Sequence, residues 1–287
     1  MNTRRVVFSL LAAAFSLFCG PTATGEDTPL SLGSHFFKLG NYDAALTEYK
    51  RFLFFHTDDP RTAETYRNIG IAYREQGHWG EAVAAMHAAV QYASNPEEKS
   101  KYRLERAVIF IAAQDYDLGR LELIKARMQN PTVPVFRRTL FLETVAFIYQ
   151  FQWAEARSVL RHYTMDEKLD TLLENAVNAP QKSARLAKVL SAILPGAGQV
   201  YAGDWRNGLN ALALNGVLGY LTVDAALARH YVDAALWGGL IFSRYYRGNI
   251  FRADEAVKQF NTQQSRRASE ALLQRLQEVA QIQQEVE

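Results

Sequence analysis

Six histidines, His35, His56, His78, His87, His162 and His230, are the side chains best suited by type to hold a metal or to move protons near neutral pH. No two of them stand at metal-ligand spacing and no His-Glu-x-x-His stretch occurs, so neither a metal nor a cofactor is expected. No serine lies in a Gly-x-Ser-x-Gly elbow. Cys19 is the single thiol, and it sits inside a leader-like segment. The acid pairs Asp58–Asp59 and Glu97–Glu98 fall at expected turns or helix starts, where capping of backbone N–H groups accounts for them without catalysis. A glycine-studded stretch, LPGAGQVYAGDW, has the composition of a phosphate-cradling loop. Such a loop needs a strand before it or a Gly-Lys-Ser/Thr ending, whereas here a helical pattern precedes it and no lysine follows. The glycines are therefore expected to let helices pack closely. No catalytic residue is assigned, and the chain is expected to be non-enzymatic.

These residues must be positioned by a chain of 287 residues, 48% hydrophobic and 22% charged, long enough for one or two domains with a real core. A net charge of +2 points away from nucleic acid as a partner. The first residues, MNTRRVVFSLLAAAFSLFCGPTATGED, place Arg4 and Arg5 before an apolar run from Val6 to Phe18, followed by small residues. That is the order of a secretory signal peptide, assigned to residues 1–25, and it predicts export to the periplasmic side of a cell envelope. Removal of this segment would leave no thiol, so stability must come from packing rather than disulfides. The alternative is a lipoprotein-like assembly factor acylated at Cys19, although Ser16, Leu17 and the bulky Phe18 fit a lipidation signal poorly.

Self-comparison gives the strongest signal. GNYDAALTEY from Gly40, GHWGEAVAAM from Gly77, QDYDLGRLEL from Gln114 and FQWAEARSVL from Phe151 recur at a 37-residue step. Aromatics stand in register at Tyr42, Trp79, Tyr116 and Trp153, small residues at Ala45, Ala82, Gly119 and Ala156, and large apolar residues at Tyr49, Met86, Leu123 and Leu160. Another aromatic precedes each turn aromatic by six residues: Phe36, Tyr73, Phe110 and Phe147. Each unit is expected to be two amphipathic helices joined by a tight turn, and since one unit cannot bury its own apolar face, neighbours must stack.

This pattern resembles the tetratricopeptide repeat, with the second copy carrying Tyr66, Ile69, Gly70, Tyr73, Gly77, Trp79, Ala82 and Ala89 at the signature positions. Copies three and four are degenerate: Arg106 and Glu143 stand where the family prefers leucine. The step exceeds the family's usual 34 residues, and the extra three are expected between helix pairs, as in FFHTDDPRTAET. The resemblance implies a protein-interaction scaffold whose first helices line a groove. Groove positions map onto Phe37 and Lys38, onto Arg67, Arg74 and Glu75, onto Lys101 and Leu104, and onto Arg138, Phe141 and Tyr149. Basic residues beside aromatics at these places suit an extended peptide or its carboxylates.

After Ala179–Pro180 the period stops. KSARLAKVLSAIL leads into the glycine loop, marked by Pro195, Gly196, Gly198, Gln199, Tyr201 and Gly203, and two apolar segments follow. Ala211, Asn215 and Gly219 make a small-sided stripe, and Gly238 and Gly239 offer the second segment close approach, so a helical hairpin is expected. Residues 182 to 261 resemble an uncharacterised family of bacterial membrane-associated proteins marked by Pro-Gly-x-Gly-Gln-x-Tyr-x-Gly, two hydrophobic helices and a Gly-Asn-Ile-aromatic sequence. The loop is similar to that of the two-transmembrane-helix domains, and the chain departs from the family at Asp204 and Arg252. The resemblance implies membrane association and no known activity. Arg185 and Lys188 before the hairpin, with Arg244, Arg247 and Arg252 after it, favour cytoplasmic flanks, which conflicts with export for a simple double span. Either the hairpin lies shallowly on or in the membrane, with its polar residues buried against the repeats, or the N-terminal segment is not cleaved; a shallow or partly buried hairpin is preferred to a full double span because the second segment is short. Leu272, Leu276, Val279 and Val286 share one face of a last amphipathic helix, expected to dock back onto the body.

The expected architecture is all-α: a tetratricopeptide-like α-solenoid of about four helix pairs (residues 26–180) after the signal peptide, a hydrophobic hairpin (181–261) and an amphipathic C-terminal helix (262–287). The expected function is a scaffold that binds a protein or peptide through the repeats and a membrane through residues 185–251. An oligomeric membrane transport accessory, self-associating through the small-residue stripe, is the alternative from another class.

Overall fold

The computed structural model describes residues 29–56, 58–129 and 131–286, which form helices joined by turns and short irregular segments, with no strand among them. The expected signal peptide and Cys19 lie outside the described residues. Two compact units are present: the described part of Met1–Leu173 together with Leu272–Glu287, and Glu174–Ala271.

In the first unit, eight helices form four consecutive pairs: α1 (Pro29–Lys38) with α2 (Tyr42–Phe55), α3 (Thr62–Glu75) with α4 (Trp79–Tyr92), α5 (Pro96–Ala112) with α6 (Tyr116–Arg127), and α7 (Val133–Tyr149) with α8 (Trp153–Tyr163). Each pair packs on the next, and α5 also packs on α7, as in an α-solenoid. Every pair closes with the same turn. Gly40, Gly77, Gln114 and Phe151, one repeat apart, have φ of 74°, 77°, 68° and 59°. In each turn the amide two places before the turn aromatic donates to the carbonyl three residues earlier, and the next amide donates to the carbonyl of Phe36, Tyr73, Phe110 or Phe147. These two hydrogen bonds satisfy orphan carbonyls of the first helix through a left-handed residue. Glycine adopts that conformation without penalty, whereas Gln114 and Phe151 carry a Cβ into it. A Gln114→Gly variant is therefore expected to be more stable by about 0.5 kcal/mol, the relieved strain exceeding glycine's extra unfolded-state entropy. The check is a higher denaturation midpoint at unchanged slope.

The repeated columns are the core. Ala45, Ala82 and Ala156 are fully buried, Gly119 is buried, and Tyr49, Met86, Leu123 and Leu160 lie beneath them. A second small column faces them from the first helices: Gly33, Gly70, Ala107 and Thr144, again one repeat apart. A Cβ on Gly33 would approach Tyr49 to 2.8 Å, and one on Gly70 would stand 3.2 Å from the Ala82 carbonyl oxygen. Small residues on both helices thus set the close approach within a pair.

The two positions that depart from the leucine preference are held by charge. Arg106 reaches Glu122 at 3.8 Å and His87 at 3.2 Å and lies over the Phe110 ring, and buried Glu143 pairs with Arg127 of α6. Glu122, 3% exposed, also receives Arg103 at 3.1 Å and Lys125 at 2.9 Å. A buried carboxylate is tolerable only with such partners.

The extra three residues are distributed differently from the expectation. Between α2 and α3 they do lie in the connection, where Asp59 accepts from the Arg61 backbone and guanidinium and is held at a pKa of about 2 by those hydrogen bonds. In the third and fourth pairs they lengthen the first helix instead: α5 and α7 have 17 residues, against 14 in α3. Proline in the first turn of each, together with the Asn95 cap and Glu98 on the Ser94 amide at α5, starts those helices a turn earlier.

The first unit is completed by residues near both ends of its sequence. Asp166 caps the Leu169 amide that opens α9 (Glu167–Val177) and accepts from Arg275 at 3.2 and 2.6 Å. The Arg275 guanidinium holds the Asp166 carboxyl below the usual carboxylate range. Leu272, Leu273, Leu276 and Val279 are buried. The segment expected as a separate helix from residue 262 is the end of one helix, α14, running unbroken over Ser243–Val286, because no proline or glycine interrupts it after Gly248. The side chain of Val286 lies outside the described residues.

In the second unit, α10 (Ala184–Ile193) stops at Pro195, the short α11 (Ala197–Ala202) follows, and α12 (Trp205–Leu227) packs against a helix that begins at Tyr231–Ala234 (α13), widens to a π-helix over Ala235–Phe242 and continues as α14. Among the described residues no helix is long and apolar enough to cross a membrane.

Candidate functional site

The first helices of pairs two, three and four bring charged side chains of both signs together. Arg67 on α3 donates to Glu105 on α5 at 3.1 Å across the pair boundary. Arg138 on α7 belongs to the same cluster: burial lowers its pKa, the Glu105 carboxylate opposes that shift, and Arg67 adds to it. Tyr102, half-buried on α5, feels Glu98, Glu64, Arg67 and Glu105. Its pKa is pushed up to about 12, first by burial and then by those carboxylates, so the phenol keeps its proton. The repeat explains this convergence, since Glu64, Lys101 and Arg138 occupy one repeat position on successive first helices, and Arg67 stands one turn further along α3.

The remaining mapped positions divide by environment. Lys101 pairs with Glu97 at 2.8 Å within α5, and Arg74 with its neighbour Glu75 at the end of α3. Lys38 is exposed, while Phe37 is partly buried and meets Tyr42 edge to face at 5.4 Å. Leu104 and Phe141 are 6% and 7% exposed, so they build the packing beneath the face rather than its surface. Tyr149 stacks on Tyr116 at 5.7 Å, and burial raises its pKa. Glu105, Tyr102 and Glu64 are absent from the sequence-based list. The signal that finds them is the pairing of opposite charges between successive first helices close to the repeat step, here Arg67 and Glu105.

The glycine loop of the second unit is closed to ligands by its own hydrogen bonds. The Gly196 amide donates to Asn249 Oδ1 at 3.0 Å and the Gly198 amide to Ser191 Oγ at 3.0 Å. Ser191 Oγ donates to Gln199 Oε1 at 3.0 Å, Gln199 Nε2 to Asn249 Oδ1 at 2.8 Å and Asn249 Nδ2 to the Ser191 carbonyl at 3.1 Å. Ser191, Gln199 and Asn249 are all buried, so the amides a phosphate would need are already engaged inside a satisfied network. Gly196, with φ 95°, and Gly208 meet backbone to backbone. Tyr201 accepts from the Ser183 amide at 3.1 Å, Gly203 ends α11 in the left-handed region, and Asp204 caps α12 through the Asn207 amide at 3.3 Å. Pro195 and these residues brace α10, α11 and α14.

Residues 27–93 and residues 67–131 each match a tetratricopeptide repeat model. No curated protein matches the chain. The fourth pair lies beyond the matched residues but closes with the same turn. Over residues 27–131 the chain is thus similar to tetratricopeptide repeats, a module for binding other proteins.

Proposed function

We propose that the protein is a non-enzymatic scaffold that holds an extended segment of another protein against the first helices of its repeats. The observation that carries this reading is the Arg67–Glu105–Arg138 cluster with Tyr102 beside it. It offers guanidinium donors, a carboxylate acceptor and a phenol across three successive repeats, a spread suited to the alternating carbonyls, amides and carboxylates of a peptide. In the same reading the protein is exported and membrane-associated. The order of charge, apolar run and small residues in residues 1–25 supports export, and the apolar hairpin of α12 and the π-helix, rich in exposed large side chains, supports a shallow seat in a membrane. Full reversal, Arg67→Glu and Arg138→Glu with Glu105→Arg, keeps opposite charges facing each other in the cluster and is expected to lower partner affinity by tenfold or more while helix content is unchanged. Affinity co-purification of both forms from cells of the source organism, followed by titration with the captured partner, checks it. Retention of full affinity by this folded variant would remove the cluster from the reading.

A further inference from the structure

We infer that the hairpin of the second unit seats itself in the interface of an anionic lipid bilayer, the arginines around it resting on lipid phosphates. This rests on the membrane reading above and adds the lipid class and the residues that choose it. On α12, Leu209, Leu212, Leu214, Val217, Tyr220, Val223 and Leu227 are all exposed, and at roughly 100° per residue they cover about 200° of the helix circumference. The buried stripe of Gly208, Asn215 and Leu218 is narrow, and Thr222 beside it meets Gly238 of the π-helix. On the other helix, Tyr231, Val232, Leu236 and Leu240 are exposed along an open apolar cleft. Leu227, Val232 and Leu240 reach 79%, 74% and 67% exposure. A folded protein partner, or a second copy, covers one side of a helix pair, whereas these side chains look outward on several sides, which only a surrounding apolar phase covers.

Charge decides which lipid. The second unit holds eleven basic residues against seven acidic ones. Arg206, Arg244 and Arg247 are exposed where the apolar stretches of the two helices begin and end, and no carboxylate pairs with them among the described residues. Beside these arginines Asp254 pairs with Lys188 and Lys258 and Asp204 with Asn207, and at the far end of the hairpin Asp233 stands 3.7 Å from His230 and Asp224 is exposed. Exposed Trp205, with the Arg206 guanidinium 5.5 Å from its ring, and exposed Tyr220, Tyr231 and Tyr245 have the amphipathic character of side chains at the headgroup level. Lipid phosphate is the counter-ion this arrangement lacks, and each arginine near an anionic surface contributes about fivefold in affinity.

The test is co-sedimentation of the whole chain with vesicles of phosphatidylcholine alone and of phosphatidylcholine mixed equally with phosphatidylglycerol, at low and high salt. Binding to the mixed vesicles is expected to be at least tenfold tighter, with the difference shrinking in high salt. Arg244→Gln with Arg247→Gln should bring the mixed-vesicle affinity down toward the neutral-vesicle value with circular dichroism unchanged. Leu236→Asp with Leu240→Asp, exposed positions whose change leaves the packing intact, should abolish binding to both. Equal affinity for both compositions overturns the anionic choice and leaves the membrane reading standing. Binding to neither removes the membrane reading as well. A vesicle-free dimer disrupted by the leucine substitutions would instead make a second copy the occupant, and would likewise overturn the inference.

Discussion

Gly198→Ala is expected to unfold the second unit, at a cost of about 3–5 kcal/mol. Gly198 lies in ordinary helical backbone, so the penalty is one of space. Its Cβ would stand 2.1 Å from the Ala187 carbonyl oxygen, 2.5 Å from Ser191 Oγ and 2.8 Å from the Ala253 Cβ. The first is backbone of α10 and cannot rotate away, and the second is the hydroxyl that links the loop to Gln199 and hence to Asn249. Relieving the clash by moving α11 would leave those buried groups without partners, which costs more than the bonds themselves contribute. Gly216→Ala is the control. No atom stands within 4 Å of that Cβ, so alanine there should stabilise α12 by about 0.5–1 kcal/mol. Hydrogen exchange checks both, with protection lost across α10 to α12 in the first variant and kept in the second.

Ala82→Arg is expected to disrupt the second helix pair, also by about 4 kcal/mol or more. Ala82 is wholly buried, its carbonyl lies under Gly70, and it packs with Ile71, Met86, Ala89 and Ile109. A guanidinium there has neither room nor a counter-ion, and displacing α4 from α3 also removes the surface on which α5 stacks. Gly80→Ala, two residues away on α4 with open space around it, should leave stability within about 0.5 kcal/mol of the starting protein. Partner binding should fall with Ala82→Arg and survive Gly80→Ala, because Arg67 and Glu105 sit on helices that this pair aligns.

The helix pairs were legible because their constraints are local and repeat. A left-handed turn, a small residue on the second helix and a large one beneath it leave a 37-residue rhythm, and the positive φ of Gln114 and Phe151 shows the turn geometry persisting where glycine is gone. Side-chain environment was less legible. A place in a repeat fixes the column, but whether Leu104 or Phe141 is covered depends on how the next pair sits, and α5 and α7 begin a turn earlier than α3. Arg106 and Glu143 read as lapses from the pattern because their partners, Glu122 and Arg127, lie on neighbouring helices. The loop motif showed that glycines were needed, but not that Gln199 and Asn249, 50 residues apart, belong to one network. The length of α14 was hidden by the change from apolar to polar composition along a single helix.

In the proposed function the first helices of the repeats, rather than their outer faces, receive another polypeptide. This is tested most directly by placing a photo-crosslinking residue at Lys101 on α5 and, separately, at Arg51 on α2, and irradiating living cells. A discrete adduct of defined mass is expected at position 101, lost on Arg67→Glu and Arg138→Glu with Glu105→Arg, and none at position 51. Adducts of equal yield at both positions, or an adduct at 101 untouched by the charge reversals, would contradict it.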